Sequence, residues 1–328
     1  MDNPFISIIC HTYNHEKYIR RAIDGFLMQK INVQIEIIIH DDASIDATPE
    51  IIKEKARHDD RIIPILRNEN NRSKIGHNFL FTISKARGKY ITICDGDDYW
   101  IDSYKLQKQV DFMEENKEYS LCASRYKLID ENSKIIGEGP TLNPLIFDPK
   151  SELIDMFRYY TLKDYLYYPY NIFQYSTVLF RNSPGLTQNI DKNVFAGDLF
   201  LSVNLLKNGP AYIFLDDYFS TYRIHSKGVW NKHGILRKAK IKVVDYKRLK
   251  NIIPDYSSEI QKIMKCLYNE LSIELAKNGQ LFLSLYNYFL SLSRDSDFIN
   301  ENLFKRLYNL FYYYKEYCRK NYIRYVLG

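Results

Sequence analysis

Gly88-Lys89-Tyr90-Ile91-Thr92-Ile93-Cys94-Asp95-Gly96-Asp97-Asp98-Tyr99-Trp100 couples a short apolar run to an acidic turn. The run Tyr90–Cys94 is apolar on almost every position, as a parallel strand covered on both faces must be. Gly88 in front of it closes a helix expected from about Gly76 to Ala86. Phe5–Cys10, Ile35–Ile39 and Ile62–Leu66 repeat the strand pattern upstream. Between the first two, Glu16–Lys30 sets Tyr18, Ile19, Ala22, Ile23, Phe26 and Leu27 on one helical face. Thr48-Pro49-Glu50 has the form of an N-cap, a proline at the first helical position and an acid in the first turn. The resulting order βαβαβαβ predicts a parallel sheet with helices on both faces.

Farther along, a helix is expected over Ser103–Asn116 and a strand near Tyr119–Ser124. Residues 125–230 are less periodic and rich in tyrosine, with one strand at Ser176–Phe180 and a helix over Asp198–Lys207, stopped by Asn208-Gly209-Pro210. Past Trp230 long helical stretches take over, which places a domain boundary near residue 232.

The bulk properties exclude several classes. With 45% hydrophobic and 26% charged residues, the 328-residue chain has the composition of a globular protein able to bury a core without disulfides. The five cysteines show no metal-ligand spacing, and Cys10 and Cys94 end buried runs, so a reduced, packing role is expected. Leu303–Gly328 holds six bases and one acid, a net of +5, leaving only +1 on the other 302 residues. Positive charge confined to a tail argues against a nucleic-acid binder. No run is long and apolar enough to span a bilayer, and Phe5–Cys10 is too short for a signal peptide, so a cytoplasmic location is expected. There is no G-x-G-x-x-G after the first strand, no phosphate-binding G-x-x-x-x-G-K-[ST] loop, no G-x-S-x-G elbow and no H-E-x-x-H helix.

In an open parallel sheet, ligands bind beyond the carboxyl ends of the strands. Those ends here read His11-Thr12-Tyr13-Asn14, His40-Asp41-Asp42-Ala43-Ser44 and Asp95-Gly96-Asp97-Asp98, which would bring up to five carboxylates to one rim. Such a cluster raises its own pKa values unless a cation joins it, and hard oxygen ligands select magnesium or manganese. Alternate residues of an Asp-x-Asp turn can aim two carboxylates to one side, with Gly96 admitting a ligand close to the backbone. Taken singly, each cluster fits ordinary turns and caps equally well.

Three segments together carry a resemblance. Ile6–Asn14 resembles the opening strand of the family 2 glycosyltransferases with a GT-A fold; Ile37–Thr48 is similar to their second strand and acidic turn; Gly88–Trp100 is similar to their Asp-x-Asp segment. The resemblance implies an α/β GT-A domain over residues 1–232, with a nucleotide-sugar half at about 1–116 and an acceptor half at 117–232, followed by a helical region at 233–328. It implies that His11, Thr12 and Tyr13 border the base, that Asp42 rather than Asp41 accepts from it, and that Asp95 lies by the ribose and sugar. It further implies that Asp97 binds Mn2+ or Mg2+ bridging the donor diphosphate, with Asp98 assisting or orienting the turn. A general base is expected at the helix opening Phe195-Ala196-Gly197-Asp198, hence Asp198, with Asp191 as the fallback and helix capping as the other reading of Asp198. Tyr222–Trp230 is similar to the family's closing segment, making His225 a candidate third metal contact.

The implied activity is inverting transfer of a hexose or N-acetylhexosamine from a nucleoside diphosphate, UDP foremost, to a glycan or lipid-linked acceptor of a bacterial surface polysaccharide. The rivals are a nucleotidyltransferase and an inactive glycan-assembly or membrane scaffold. Asn70–Lys74 is a candidate diphosphate contact or a solvated loop, and Tyr99 and Trp100 are candidates for sugar stacking or for packing. The tail Leu303–Leu327 mixes aromatics with bases, so it serves as a peripheral anchor on the inner membrane face, a cap, or a homodimer contact.

Overall fold

The computed structural model describes residues 5–69, 75–139, 158–167, 173–188, 190, 197–226, 228, 234–292, 309–310 and 312–317. The chain divides into two compact units, residues 1–225 and 226–328.

Among the described residues the first unit is built on a nine-stranded mixed sheet. Strands β1 (Ile6–Thr12), β2 (Ile35–Asp41), β3 (Ile62–Leu66) and β4 (Tyr90–Ile93) run parallel, with helices α1 (Ile19–Leu27), α2 (Thr48–His58) and α3 (Ile75–Ile83) in the crossovers. Then follow α4 (Lys105–Glu115), β5 (Leu121–Ile129), β6 (Ile135–Gly139), β7 (Tyr159–Tyr160), α5 (Leu162–Tyr167), β8 (Leu179–Arg181), α6 (Gly197–Leu206) and β9 (Ala211–Arg223). The spatial order is β3-β2-β1-β4-β8-β5-β9-β7, with β6 beside β5. β8 is antiparallel to both β4 and β5, which makes the sheet mixed rather than wholly parallel.

Every residue of β2, and all but His11 of β1, is buried, as central strands clad on both faces require. Ile19, Ala22, Ile23 and Phe26 turn one face of α1 into that core, where Phe26 meets Trp100 edge-on at 4.9 Å. β3 lies at the margin, and the backbone nitrogen of its Pro64 faces outward, away from β2, so no ladder donor is lost. At the opposite ends of the strands from the acidic turns, Ser7, Glu36 and Arg87 pin β4 to its neighbours. Glu36, 3% exposed, accepts from Ser7 Oγ at 2.6 Å and from the Arg87 guanidinium at 2.6 Å. A Cβ on Gly88 would stand 2.5 Å from the Ser7 nitrogen, so no larger residue enters β4 there.

Three expectations change. Thr48 opens α2 rather than capping it: the N-cap position falls on Ala47, Asp46 Oδ1 accepts from the Thr48 N–H at 3.0 Å, and Thr48 Oγ1 accepts from the His15 N–H. The strand expected at Ser176–Phe180 starts instead as a tight turn over Tyr175–Thr177. Carbonyls of this stretch face side chains, with Trp100 Nε1 donating to Ser176, Gln109 to Thr177 and Thr92 to Val178. The region past residue 125 holds more strand than its pattern suggested. β5 runs on to Ile129, hairpins with β6, and pairs in parallel with the 13-residue β9 across a register shift.

The second unit contains α7 (Ile235–Ile252), α8 (Ser257–Lys277) and α9 (Leu281–Leu292), and Tyr288, Ala276 and Leu310 share a small core. Among the described residues no helix is long and apolar enough to cross a membrane.

Candidate active site

Parallel pairing places the ends of β2, β1 and β4 side by side, with Thr12 level with Asp41 and His11 level with His40. Pairing continues past the strands: Asp42 N donates to Thr12 O at 3.0 Å, and Gly96 N donates to His11 O at 2.9 Å. Thr12 therefore stands between the two acidic turns. Gly96 packs directly on it, since a Cβ there would lie 2.9 Å from both Thr12 Oγ1 and Ile19 Cδ1. That packing leaves little room for a larger residue in the turn. The β1 and β2 loops are stapled by Asn14 and Ser44, and both loops carry a non-glycine residue at positive φ, Asn14 at 56° and Ala43 at 58°. Backbone of this kind is held only where its surroundings over-determine it.

Of the five expected rim acids, two are committed internally. Asp41 is buried and accepts from Ser44 N and Oγ. Asp98, 4% exposed, accepts from the Arg223 N–H at 2.7 Å. Burial, then the charge of Asp97, pushes its carboxyl well above the ordinary range, so Asp98 orients the turn rather than facing a ligand. Asp42, Asp95 and Asp97 remain at the rim.

Asp97 lies between two imidazoles, with Oδ2 3.0 Å from His225 Nε2 and 3.7 Å from His15 Nε2. Burial would raise its carboxyl, but the charge of His15 and the hydrogen bond from His225 prevail and bring it down to about 2. It is thus an anion at any working pH. His11 Nδ1 lies 3.4 Å from Asp95. Three buried polar atoms on this rim, His11 Nε2, Thr12 Oγ1 and His15 Nδ1, have no hydrogen-bond partner among the described residues. Orphans gathered at one spot fit a polar ligand that completes them. Tyr13, half-buried, follows directly on β1.

A divalent ion suits this arrangement in part. Asp97 and His225 present a carboxylate oxygen and an imidazole nitrogen on common ground, with His15 behind. Among the described residues no group of three His, Cys, Asp or Glu side chains is set to hold an ion unaided. The remaining positions would fall to a ligand's oxygens, as is usual where phosphates share the ion.

Asp198 sits in the first turn of α6, exposed, its Oδ1 accepting from the neighbouring Leu199 N–H. Its carboxyl is open at the tip yet ringed by protein; that surrounding protein, with the charge of Asp95 adding to it, raises it above the ordinary range. Tyr175 donates to the Asp198 carbonyl at 2.9 Å, and the Phe79 ring lies 6.2 Å from Tyr175 and 5.6 Å from His11. The first turn of α6 is thereby linked to the β1 end. Asp191 and Asn70–Lys74 lie outside the described residues. Tyr99 and Trp100 are 7% and 2% exposed, Tyr99 under the Arg21 guanidinium and Trp100 against Phe26, so neither offers a face to a sugar.

Sequence reasoning missed His15, Tyr175 and Arg223. Arg223, 3% exposed, donates from Nε to Asp97 O and from Nη1 to Asp130 O, Glu131 O and Ser133 Oγ, with its plane 4.3 Å over Tyr18. One guanidinium thus ties the acidic turn to the β5–β6 turn. Its place two residues before His225 was the available signal.

The comparisons agree with this geometry. An uncharacterized protein of Mycobacterium tuberculosis is 36% identical over 227 residues, 69% of this chain and 60% of its own length. The chain therefore spans less than two thirds of that relative. The putative teichuronic acid biosynthesis glycosyltransferase TuaG of Bacillus subtilis is 30% identical over 152 residues, 46% of this chain and 56% of its own. S. aureus TarS (residues 1–349), solved in complex with UDP, superposes with a TM-score of 0.61 at 16% identity over 96% of this chain and 91% of that one, a likeness of fold. The family described as "Glycosyl transferase family 2" matches residues 7–182, and with the GT-A sheet and its acidic turns in place the chain belongs to that family.

Proposed function

We propose that the protein is an inverting, metal-assisted transferase that moves a hexosyl or N-acetylhexosaminyl group from a UDP-linked donor to a hydroxyl of a glycan or lipid-linked acceptor, in bacterial surface polysaccharide assembly. One observation carries the reading: Thr12 holds the turns bearing Asp42 and Asp97 together, with Asp97 against His225. The comparison with TuaG supports a polysaccharide acceptor and that with TarS a uridine donor.

In this reading Asp42 accepts from the base, and His11, Thr12 and Tyr13 border it. Asp95 meets the ribose and sugar. Asp97 and His225 would hold Mn2+ or Mg2+, whose charge offsets that of the departing diphosphate. Asp198 takes the proton of the acceptor hydroxyl as that oxygen bonds the anomeric carbon and the bond to the diphosphate breaks; its raised pKa suits a general base. His15 helps to keep Asp97 ionised, and Arg223 holds its backbone in place.

The test is release of nucleotide from a panel of UDP- and GDP-sugars with manganese present. Turnover is expected with a UDP-sugar, and Asp97→Ala is expected to remove it, a loss of roughly 10²–10³ or more being typical when charge stabilisation at a leaving group goes. Full turnover by Asp97→Ala would refute the assignment.

A further inference from the structure

The two units differ in charge. Residues 226–328 hold 19 bases and 9 acids, a net of +10, whereas residues 1–225 hold 27 bases and 31 acids, a net of −4. The positive charge is thus not confined to the last 26 residues, and its densest stretch with a described structure is α7. Its 18 residues, ILRKAKIKVVDYKRLKNI, include seven bases and a single acid, Asp245. Asp245 is 1% exposed and turned into the unit together with Ala239, Val243, Tyr246 and Leu249.

The opposite face of α7 is organised. Arg237, Lys240, Val244, Lys247 and Asn251 are exposed and spaced three, four, three and four residues apart, so they form one stripe along the helix. Val244 in its middle is 46% exposed. Lys250 extends the cationic face at the C-terminal end, and Lys247 stands 5.5 Å over the Tyr268 ring. Lys242 is excluded from the stripe, since it pairs with Glu270 at 3.1 Å. A helix of this length presents a flat edge of about 27 Å, at 1.5 Å per residue.

We propose that this face of α7 docks the protein onto an anionic phospholipid surface, lying in its plane. The charge complementarity selects an anionic partner. The apolar side chain set among the cations selects lipid over a soluble polyanion, because a bilayer interface rewards Val244 as well as the bases, whose long stems reach up to the headgroups. A polyanion would use the bases alone. The inference is independent of the catalytic reading, and its test needs neither donor nor turnover.

The full chain is sedimented with vesicles of phosphatidylcholine containing 30 mol% phosphatidylglycerol and with pure phosphatidylcholine, and in parallel titrated with dextran sulfate. Binding to the anionic vesicles only is expected, weakening with added salt. The variant Arg237→Gln/Lys240→Gln/Lys247→Gln, its fold checked by circular dichroism, should lose on the order of a hundredfold in vesicle affinity. Val244→Asp should weaken vesicle binding while leaving binding to dextran sulfate within the two- to threefold that one added charge brings. Absence of wild-type binding to the anionic vesicles, unaltered binding by the triple variant, or a Val244→Asp effect equal on vesicles and dextran sulfate would each overturn the proposal; the last would assign the face to a soluble polyanion.

Discussion

Arg223 and Asp98 together show how little of this site's chemistry is done by the residues that would touch a ligand. The Asp98 carboxyl needs only to accept the Arg223 N–H, a duty an amide oxygen can take over without the cost of a buried charge. Asp98→Asn is therefore expected to keep thermal stability within about 1 kcal/mol of wild type, while Asp98→Ala, which orphans the N–H, should cost about 1–3 kcal/mol by denaturant titration. Arg223→Lys keeps the charge but cannot serve Asp97 O and the Asp130, Glu131 and Ser133 oxygens from one planar fork. A fall in kcat of tenfold or more, with folding retained, is the expected result. The raised carboxyl of Asp198 sets the pH response: a base works only when deprotonated, so kcat should climb with pH through a pKa above the usual aspartate value, and Asp198→Asn should abolish that limb along with roughly 10²–10⁴ of the rate. That Asp42 and Asp97 would stand at neighbouring strand ends was legible in the sequence, because each follows closely on a short apolar run. The internal use of Asp41 and Asp98 was not, since a carboxylate in a turn reads the same whether it faces solvent or a backbone N–H. His15 was hidden for a related reason: only the folded β1 loop turns its ring toward Asp97.

At the level of elements, strands read well where burial on both faces makes them uniformly apolar, as in β1, β2 and β4, and poorly where partners vary along their length. β9 is the clear case. Its sequence ALA211 to Arg223 alternates between core and half-exposed positions and breaks step near Leu215–Asp217, so no single period describes it. The turn at Tyr175–Thr177 escaped notice because the side chains that claim its carbonyls, from Thr92, Trp100 and Gln109, come from about seventy to ninety residues away. Lys105 was likewise illegible: a lysine at a helix start reads as solvated, yet it is wholly buried, donating to Thr92 and Gln109 under the Trp100 ring, and burial lowers it to about 7. The Ser7–Glu36–Arg87 tie belongs to this scale. Glu36→Ala leaves the Ser7 hydroxyl without its acceptor and the Arg87 guanidinium without its partner, and a loss of about 1–3 kcal/mol in unfolding free energy is expected.

For the molecule as a whole, His40 supplies a handle on global stability. It is 1% exposed and accepts from Arg67 Nε at 3.1 Å, which requires the neutral ring. Burial first, then His11 and Arg67, lower its pKa to about 4 from an ordinary 6.5. The unfolded chain therefore takes up a proton that the folded one refuses. The stabilisation is complete above pH 6.5 and disappears as pH falls toward 4, by up to about 3 kcal/mol across that window. Urea titrations from pH 7.5 to 4.5 should show the decline, and His40→Gln should flatten it. The sheet's margins bear on assembly. An incoming strand at β3 would find no amide hydrogen at Pro64. That border offers no continuous template, so growth of the sheet from one molecule into the next is interrupted at β3.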